Sequence, residues 1–199
     1  MQSENNNISS NNTEQIKQDI SISMEKANLY TLAAIFPILI PLMLLFSALW
    51  GMDGLMNGFS ILSQQFIGFL VAIIVGIIVH EYLHKIGWAL FAKKPLSSIK
   101  FGFQVKTLSP YAHCTEPLEL NGYRWGALLP GLLLGILPTI IALAIGHAPL
   151  FLFELLFLFA AGGDFLVLWL LRKVKAGVLV EDHPTRAGCF ILENKPVLD

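Results

Sequence analysis

The sequence predicts an all-α transmembrane fold, a four-helix membrane bundle with a small cytoplasmic β-hairpin element. Three observations predict it. Apolar residues make up 55% of the 199 residues and charged residues only 14%, against about 45–50% and about 25% in soluble domains. The apolar residues fall in four long runs, the signature of bilayer crossing. Lys and Arg lie almost wholly on one side of those runs. The net charge of −1 offers no basic excess, so nucleic acid is excluded as a partner class and the lipid bilayer takes its place. Cys114 and Cys189 are far apart and form no metal-type pair.

Residues 1–28 are polar and rich in Asn, Ser and Gln. They lack the basic start and early apolar core of a secretory signal and read as a disordered cytoplasmic tail. Residues 29–199 read as one membrane-embedded domain with spans at about 31–50, 66–92, 125–145 and 150–171. A spanning helix needs about 20 residues. Pro37, Pro41, Pro130 and Pro138 inside the first and third runs are tolerated where neighbours satisfy the freed carbonyls. The loop 52–65 and the turn Gly146-His147-Ala148-Pro149 carry no Lys or Arg. Lys93, Lys94, Lys100, Lys106 and Arg124 follow span two, and Arg172, Lys173, Lys175 and Arg186 follow span four. The positive-inside rule therefore places both termini and the long loop in the cytoplasm.

Two hairpins are expected outside the spans. From Ser97 to Thr107, Ile99, Phe101, Phe103 and Val105 alternate with Ser98, Lys100, Gln104 and Lys106, the period of a strand. Ser109-Pro110 turns the chain and Tyr111 to Thr115 returns it. The second hairpin pairs Val178-Leu179-Val180 with Cys189-Phe190-Ile191-Leu192. Tyr123, Arg124 and Trp125 read as an interfacial anchor.

Span two carries His80-Glu81-Tyr82-Leu83-His84. Residues four apart share a helix face, so His80 and His84 can present two imidazoles to one cation. Glu81 then stands where a general base is needed in metal-dependent hydrolysis. Zinc suits such donors. The plainer reading sets these groups at a helix end, snorkelling to the interface. Against it, ionisable groups in the hydrocarbon cost about 2.5 kcal/mol or more and are rarely idle.

A catalytic zinc site takes three protein ligands, and Asp164 is the candidate third. His84 lies 8 residues before Ala92 and Asp164 lies 7 before Leu171, so both sit roughly 10–12 Å from the cytoplasmic end. Glu154 is about 15 Å further out at ~1.5 Å per residue. The plain alternative for Asp164 is a structural hydrogen bond or an ion pair with Lys85. His113, Cys114 and Glu116 cluster after the first strand. They read as a polar turn, with a second metal site, a covering loop, or Cys114 on the metal as sharper alternatives. His183 reads as a turn residue, and His147 lies on the outer side. The 97–107 strand offers an edge to an extended peptide, or an apolar face to the membrane surface.

These residues resemble the putative zincin peptidases of the bacterial membrane, a family related in layout to site-2 proteases. The resemblance covers about residues 60–195. It rests on His80-Glu81-Tyr82-Leu83-His84, on Tyr111-Ala112-His113-Cys114-Thr115-Glu116-Pro117-Leu118, on Gly162-Gly163-Asp164 and on Asp182-His183-Pro184. Here the glycines precede the Asp, whereas in site-2 proteases a glycine follows it. The resemblance implies Zn²⁺ held by His80, His84 and Asp164, with Glu81 as catalytic base. It also implies hydrolysis of membrane-embedded or membrane-adjacent peptides in the bacterial cytoplasmic membrane. Two other classes stand beside it. One is a non-catalytic assembly or regulatory protein with a structural metal. The other is a transporter, disfavoured because Glu154 alone supplies a polar group in the outer half. Substrate and oligomeric state are not encoded in any motif.

Overall fold

The computed structural model describes residues 13–104 and 109–196. The chain is mostly helical. In order it runs β1 (Thr13–Ile22), α1 (Met24–Trp50), α2 (Met52–Gln64), α3 (Phe66–Phe91), β2 (Ile99–Gln104), β3 (Ser109–Cys114), β4 (Leu118–Glu119), α4 (Leu120–Pro130), a π-helical turn (Gly131–Ile136), α5 (Leu137–Ile145), α6 (Ala148–Ala160), α7 (Gly162–Leu171), β5 (Leu179–Asp182) and β6 (Ala187–Pro196). Among the described residues, three helical stretches are long and apolar enough to cross a membrane: Met24–Trp50, Phe66–Phe91 and Leu120–Ile145. The pair α6 and α7, bent by 41° at its break, makes a fourth if it is one span.

The prolines of the first run leave α1 a single helix. Its start is capped by Ser23, whose Oγ accepts from the Lys26 N–H at 3.4 Å. In the third run a π-turn lies between Pro130 and Pro138 and carries the helix on, one of the adjustments by which membrane helices absorb proline. The fourth run is where expectation and structure differ. It begins at Ala148 and breaks after Ala160, ahead of Gly162 and Gly163, residues that hold a helix weakly. The 52–65 connection is also more ordered than a loop. It forms α2, with Leu55 and Gly58 buried and Gly58 facing Ala148 and Leu152 of α6.

The supposed N-terminal tail needs correcting. Residues 1–12 lie outside the described residues, but Thr13–Ile22 forms β1 and Met24 already opens α1. β1 pairs antiparallel with β6 along its full length, Thr13 opposite Pro196 and Ile22 opposite Ala187. Local composition hid it because the partner is contributed by the far end of the chain. A four-stranded antiparallel sheet results, in the order β1-β6-β5-β4. The expected second hairpin is its β5–β6 portion. The expected first hairpin is the separate β2–β3 pair, and its turn at 105–108 lies outside the described residues.

Two apolar clusters organise the interior. One joins the sheets to α3, α4 and α7 through Trp88, Ile99, Leu118, Tyr123, Leu171 and Val180. The other lies among the helices, with Phe46 stacked on Phe151 at 4.6 Å. The outward faces of α1 and α3 leave Leu44, Leu49, Ile67, Ile74 and Ile78 exposed, far more apolar surface than a soluble monomer displays. Arg124, read as an interfacial anchor, instead donates from Nη2 to the carbonyls of Leu171 and Val174. It places a cation at the C-terminus of α7, where the helix dipole favours it.

The tightest helix contact is between α3 and α4. A Cβ on Gly87 would lie 2.7 Å from the Gly126 Cα, which is backbone and has nowhere to go. Gly163, by contrast, has open space around the same position. Gly87→Ala is therefore expected to cost about 1–3 kcal/mol through overpacking, while Gly163→Ala stays within about 0.5 kcal/mol of the parent. Thermal melts of the detergent-purified variants check both.

Candidate metal centre

Helix α3 carries His80 and His84 one turn apart on its inner face, with 8% and 6% of their surface exposed. Their ring centroids are 5.0 Å apart. The break at Ala161 starts a new helix, and Asp164 falls in its first turn, where the dipole favours a carboxylate. Its two oxygens face the two imidazoles. Oδ2 lies 3.2 Å from His80 Nε2 and Oδ1 lies 3.3 Å from His84 Nε2.

These three side chains can hold a metal ion: one ligand atom from each lies within 4.8 Å of the others. Tetrahedral zinc with N and O ligands at about 2.0–2.1 Å sets neighbouring ligand atoms roughly 3.3 Å apart, close to the separations here. Asp164 Oδ2 is buried and, among the described residues, has no aligned hydrogen-bond partner despite its 3.2 Å neighbour. The contact is thus close but not aligned as a hydrogen bond, which suits two groups directed at a shared cation. His80 Nδ1 is buried and unpartnered as well.

The tautomer of His84 is set by its neighbour. Nδ1 lies 3.0 Å from the Gly126 carbonyl oxygen, which can only accept. The proton therefore sits on Nδ1 and the Nε2 lone pair faces Asp164, the arrangement a metal-ligating histidine needs. Gly126 must be glycine here, because a Cβ would enter the Trp88 indole. That indole stacks on His84 at 5.5 Å, donates from Nε1 to the Tyr123 carbonyl at 3.2 Å, and stacks on Tyr123 at 5.8 Å.

All three candidate ligands and Glu81 line one cleft of about 750 Å³, closed by the start of α1, by β3 and by the 182–188 turn. Glu81 has one oxygen, Oε2, buried without a partner. Its carboxylate also takes a hydrogen bond from the Ala112 backbone of β3. The strand bordering the cleft is thus β3. β2, the described part of the strand expected to offer its edge, lies behind β3 and packs Phe101 onto α3 against Tyr82 and beneath Lys85. That leaves Lys85 away from Asp164, for which it was the alternative partner.

Other sequence candidates separate. Glu154 is buried on α6 with Oε2 unpartnered and does not line the cleft. Cys114 is fully buried in the apolar cluster and does not line the cleft, and burial pushes its thiol pKa up. Burial likewise pushes the Cys189 thiol to about 12. Glu116 pairs with Lys94 at 3.0 Å. His183 acts as a turn residue, its Nδ1 accepting from the Thr185 and Arg186 N–H groups at 3.1 Å. His113 is more than a polar turn residue. It lines the cleft and its Nδ1 lies 3.4 Å from Asp182 Oδ2. Asp182, Tyr123 and Gly126 were missed as site-supporting groups because their partners are remote in sequence. A buried tyrosine hydroxyl needing a partner was the nearest available signal.

If this donor set holds zinc, the detergent-purified protein contains about one zinc per chain. His80→Ala, His84→Ala and Asp164→Ala should each lower that occupancy at least tenfold by elemental analysis, whereas Glu154→Gln should leave it unchanged.

No curated protein and no solved structure matches the chain. A family described as putative zincin peptidase matches residues 73–179, which hold most of α3, the β2–β3 hairpin, and α4 to α7. That match covers more than half of the chain, and it takes in His80, Glu81, His84 and Asp164 together. The chain therefore belongs to the putative zincin peptidase family.

Proposed function

We propose that the protein is a membrane-embedded zinc metallopeptidase, with a site-2-protease-like layout, that hydrolyses peptide bonds of membrane or membrane-adjacent substrates. The observation that carries this reading is the convergence, in one cleft, of His80, His84 and Asp164 donor atoms with the free carboxylate oxygen of Glu81. His80 and His84 Nε2 and an Asp164 oxygen would hold the ion. Zinc supplies Lewis-acid polarisation of a peptide carbonyl and makes a water acidic near neutral pH.

The chain's own residues do the rest. Glu81 takes the proton of the attacking water and returns it to the leaving amine. The Ala112 backbone meets its carboxylate, and Oε2 is buried with no hydrogen-bond partner among the described residues. The Gly126 carbonyl keeps His84 in its ligating tautomer. The apolar walls, including Phe157 and Val167, limit water access and strengthen each polar contact inside. A cleft of about 750 Å³ accommodates a short extended segment of polypeptide.

Three helices long and apolar enough to cross a membrane support the membrane part of this reading, and a fourth span completes it. The α6–α7 pair forms the fourth span, and its break delivers Asp164 to the depth of His84. The cytoplasmic placement of both termini and of the two sheets rests on Lys and Arg, which cluster around the hairpin and after α7. The site then opens toward the cytoplasmic leaflet.

Glu81→Gln tests the assignment. Zinc content should stay at about one per chain while kcat falls about 10²–10⁴-fold, read with a labelled unstructured protein as substrate. A Glu81→Gln protein that cleaves at the parental rate would remove Glu81 from its role.

A further inference from the structure

Asp182 gathers three groups from three elements. Tyr123 Oη of α4 donates to Oδ1 at 2.8 Å. The Cys114 N–H of β3 donates to Oδ2 at 3.3 Å. His113 Nδ1 lies 3.4 Å from the same Oδ2. The carboxylate is nearly covered, with 11% of its side chain exposed, while His113 keeps 27%. Both residues line the cleft that holds the candidate metal centre. A carboxylate saturated on one side by a tyrosine and a backbone amide, and facing an imidazole on the other, orients that imidazole.

The strand register says where the imidazole is held. His113 pairs with Lys100 and Tyr111 with Gly102 across the β2–β3 ladder. The amides of Ala112 and Cys114 point instead to the free edge, and both are taken by carboxylates: Ala112 by Glu81 and Cys114 by Asp182. Two residues along an antiparallel strand span roughly 7 Å. Glu81 and Asp182 therefore sit side by side on one strand edge, and His113 turns toward that edge to meet Asp182. A second link runs through the aromatic stack, because Tyr123 is joined to His84 by Trp88.

We propose that His113 is a second catalytic residue of this site, donating from Nε2 to the scissile carbonyl oxygen as it becomes negative, with Asp182 and Tyr123 as its positioning residues. This rests on the peptidase reading. Nδ1 faces Asp182 Oδ2 at 3.4 Å, so Nε2 is the atom left to meet a ligand in the cleft. No bond is made or broken by His113. Its hydrogen bond strengthens as the oxygen gains charge, the kind of contact that lowers a barrier.

Charge around the ring favours its donor form. His113 is faced by Asp182 and Glu181 of β5 and pairs with Lys100 across the ladder on β2, while Tyr123 of α4 holds Asp182 and Glu81 of α3 meets the neighbouring Ala112. The Asp182 hydrogen bond raises its pKa above the ordinary imidazole value, with burial acting in the opposite direction. The doubly protonated ring is thus kept to higher pH than a free histidine would allow. Loss of the Asp182 charge lowers that pKa, so the donor form disappears at lower pH.

The test uses the full-length, zinc-loaded protein in detergent, with fluorescein-labelled β-casein and a pool of fluorogenic peptides as probes. His113→Ala and His113→Gln should lower kcat about 10²–10³-fold with KM within about threefold, and with zinc content and melting temperature unchanged. Asp182→Asn should lower kcat and also move the alkaline limb of the pH profile downward, a shift that a packing role does not produce. Parental kcat in folded, zinc-loaded His113→Ala and His113→Gln overturns the proposal and leaves the peptidase reading standing. Failure of the zinc-loaded parent to cleave any probe overturns the peptidase reading, and this proposal with it.

Discussion

The close approach of α3 to α4 is the constraint on which the site depends. Gly87 and Gly126 meet backbone to backbone, and that contact brings a main-chain carbonyl within 3.0 Å of His84 Nδ1. In a membrane interior, small residues let helices approach. Here the approach also has a chemical result, since the carbonyl selects one tautomer of the imidazole. The same glycine leaves room for the Trp88 indole, which packs between His84 and Tyr123. Packing and protonation state are consequences of one contact.

The second constraint is the break at Ala161. An unbroken helix would leave Asp164 in the middle of an apolar run. The 41° bend instead makes it a first-turn residue, with unsatisfied amides of a new N-terminus nearby to favour its charge. The cost of a carboxylate at depth is thereby reduced from two sides, by the helix start and by the two imidazoles. The residues that weaken the helix, Gly162 and Gly163, are the ones directly before the carboxylate. Gly162 also admits Thr31 of α1, so the same break lets the first helix close on the site.

The sheets attach to the helices through the cleft rather than beside it. β3 lends Glu81 a backbone contact, and β5 ends in Asp182, which ties α4 to β3. β1 closes the outer edge of β6, held at its end by Arg186, whose guanidinium donates to the Ser21 hydroxyl at 2.8 Å and to its carbonyl at 3.1 Å. The matched family region begins at residue 73. β1, α1 and α2 therefore lie outside the region that the family shares.

Periodicity alone determined much of this protein. Four apolar runs marked the helices, alternation around Phe101 marked a hairpin, and the four-residue spacing of His80 and His84 put two imidazoles on one face. Similar distances from the span ends pointed to Asp164 over Glu154, although the sequence did not reveal that the helix would break just ahead of it. These features are local, set by backbone geometry over a few residues. What the tertiary structure decided was every pairing between distant segments. β1 is polar and becomes a strand only because β6 offers its edge. Tyr123 has the composition of an interfacial anchor and is buried because Asp182, 59 residues on, accepts its hydroxyl. His113 reads as a turn residue until the same carboxylate is placed beside it. A hydrogen bond between remote residues depends on where the chain has been carried, and no pattern within either segment records it.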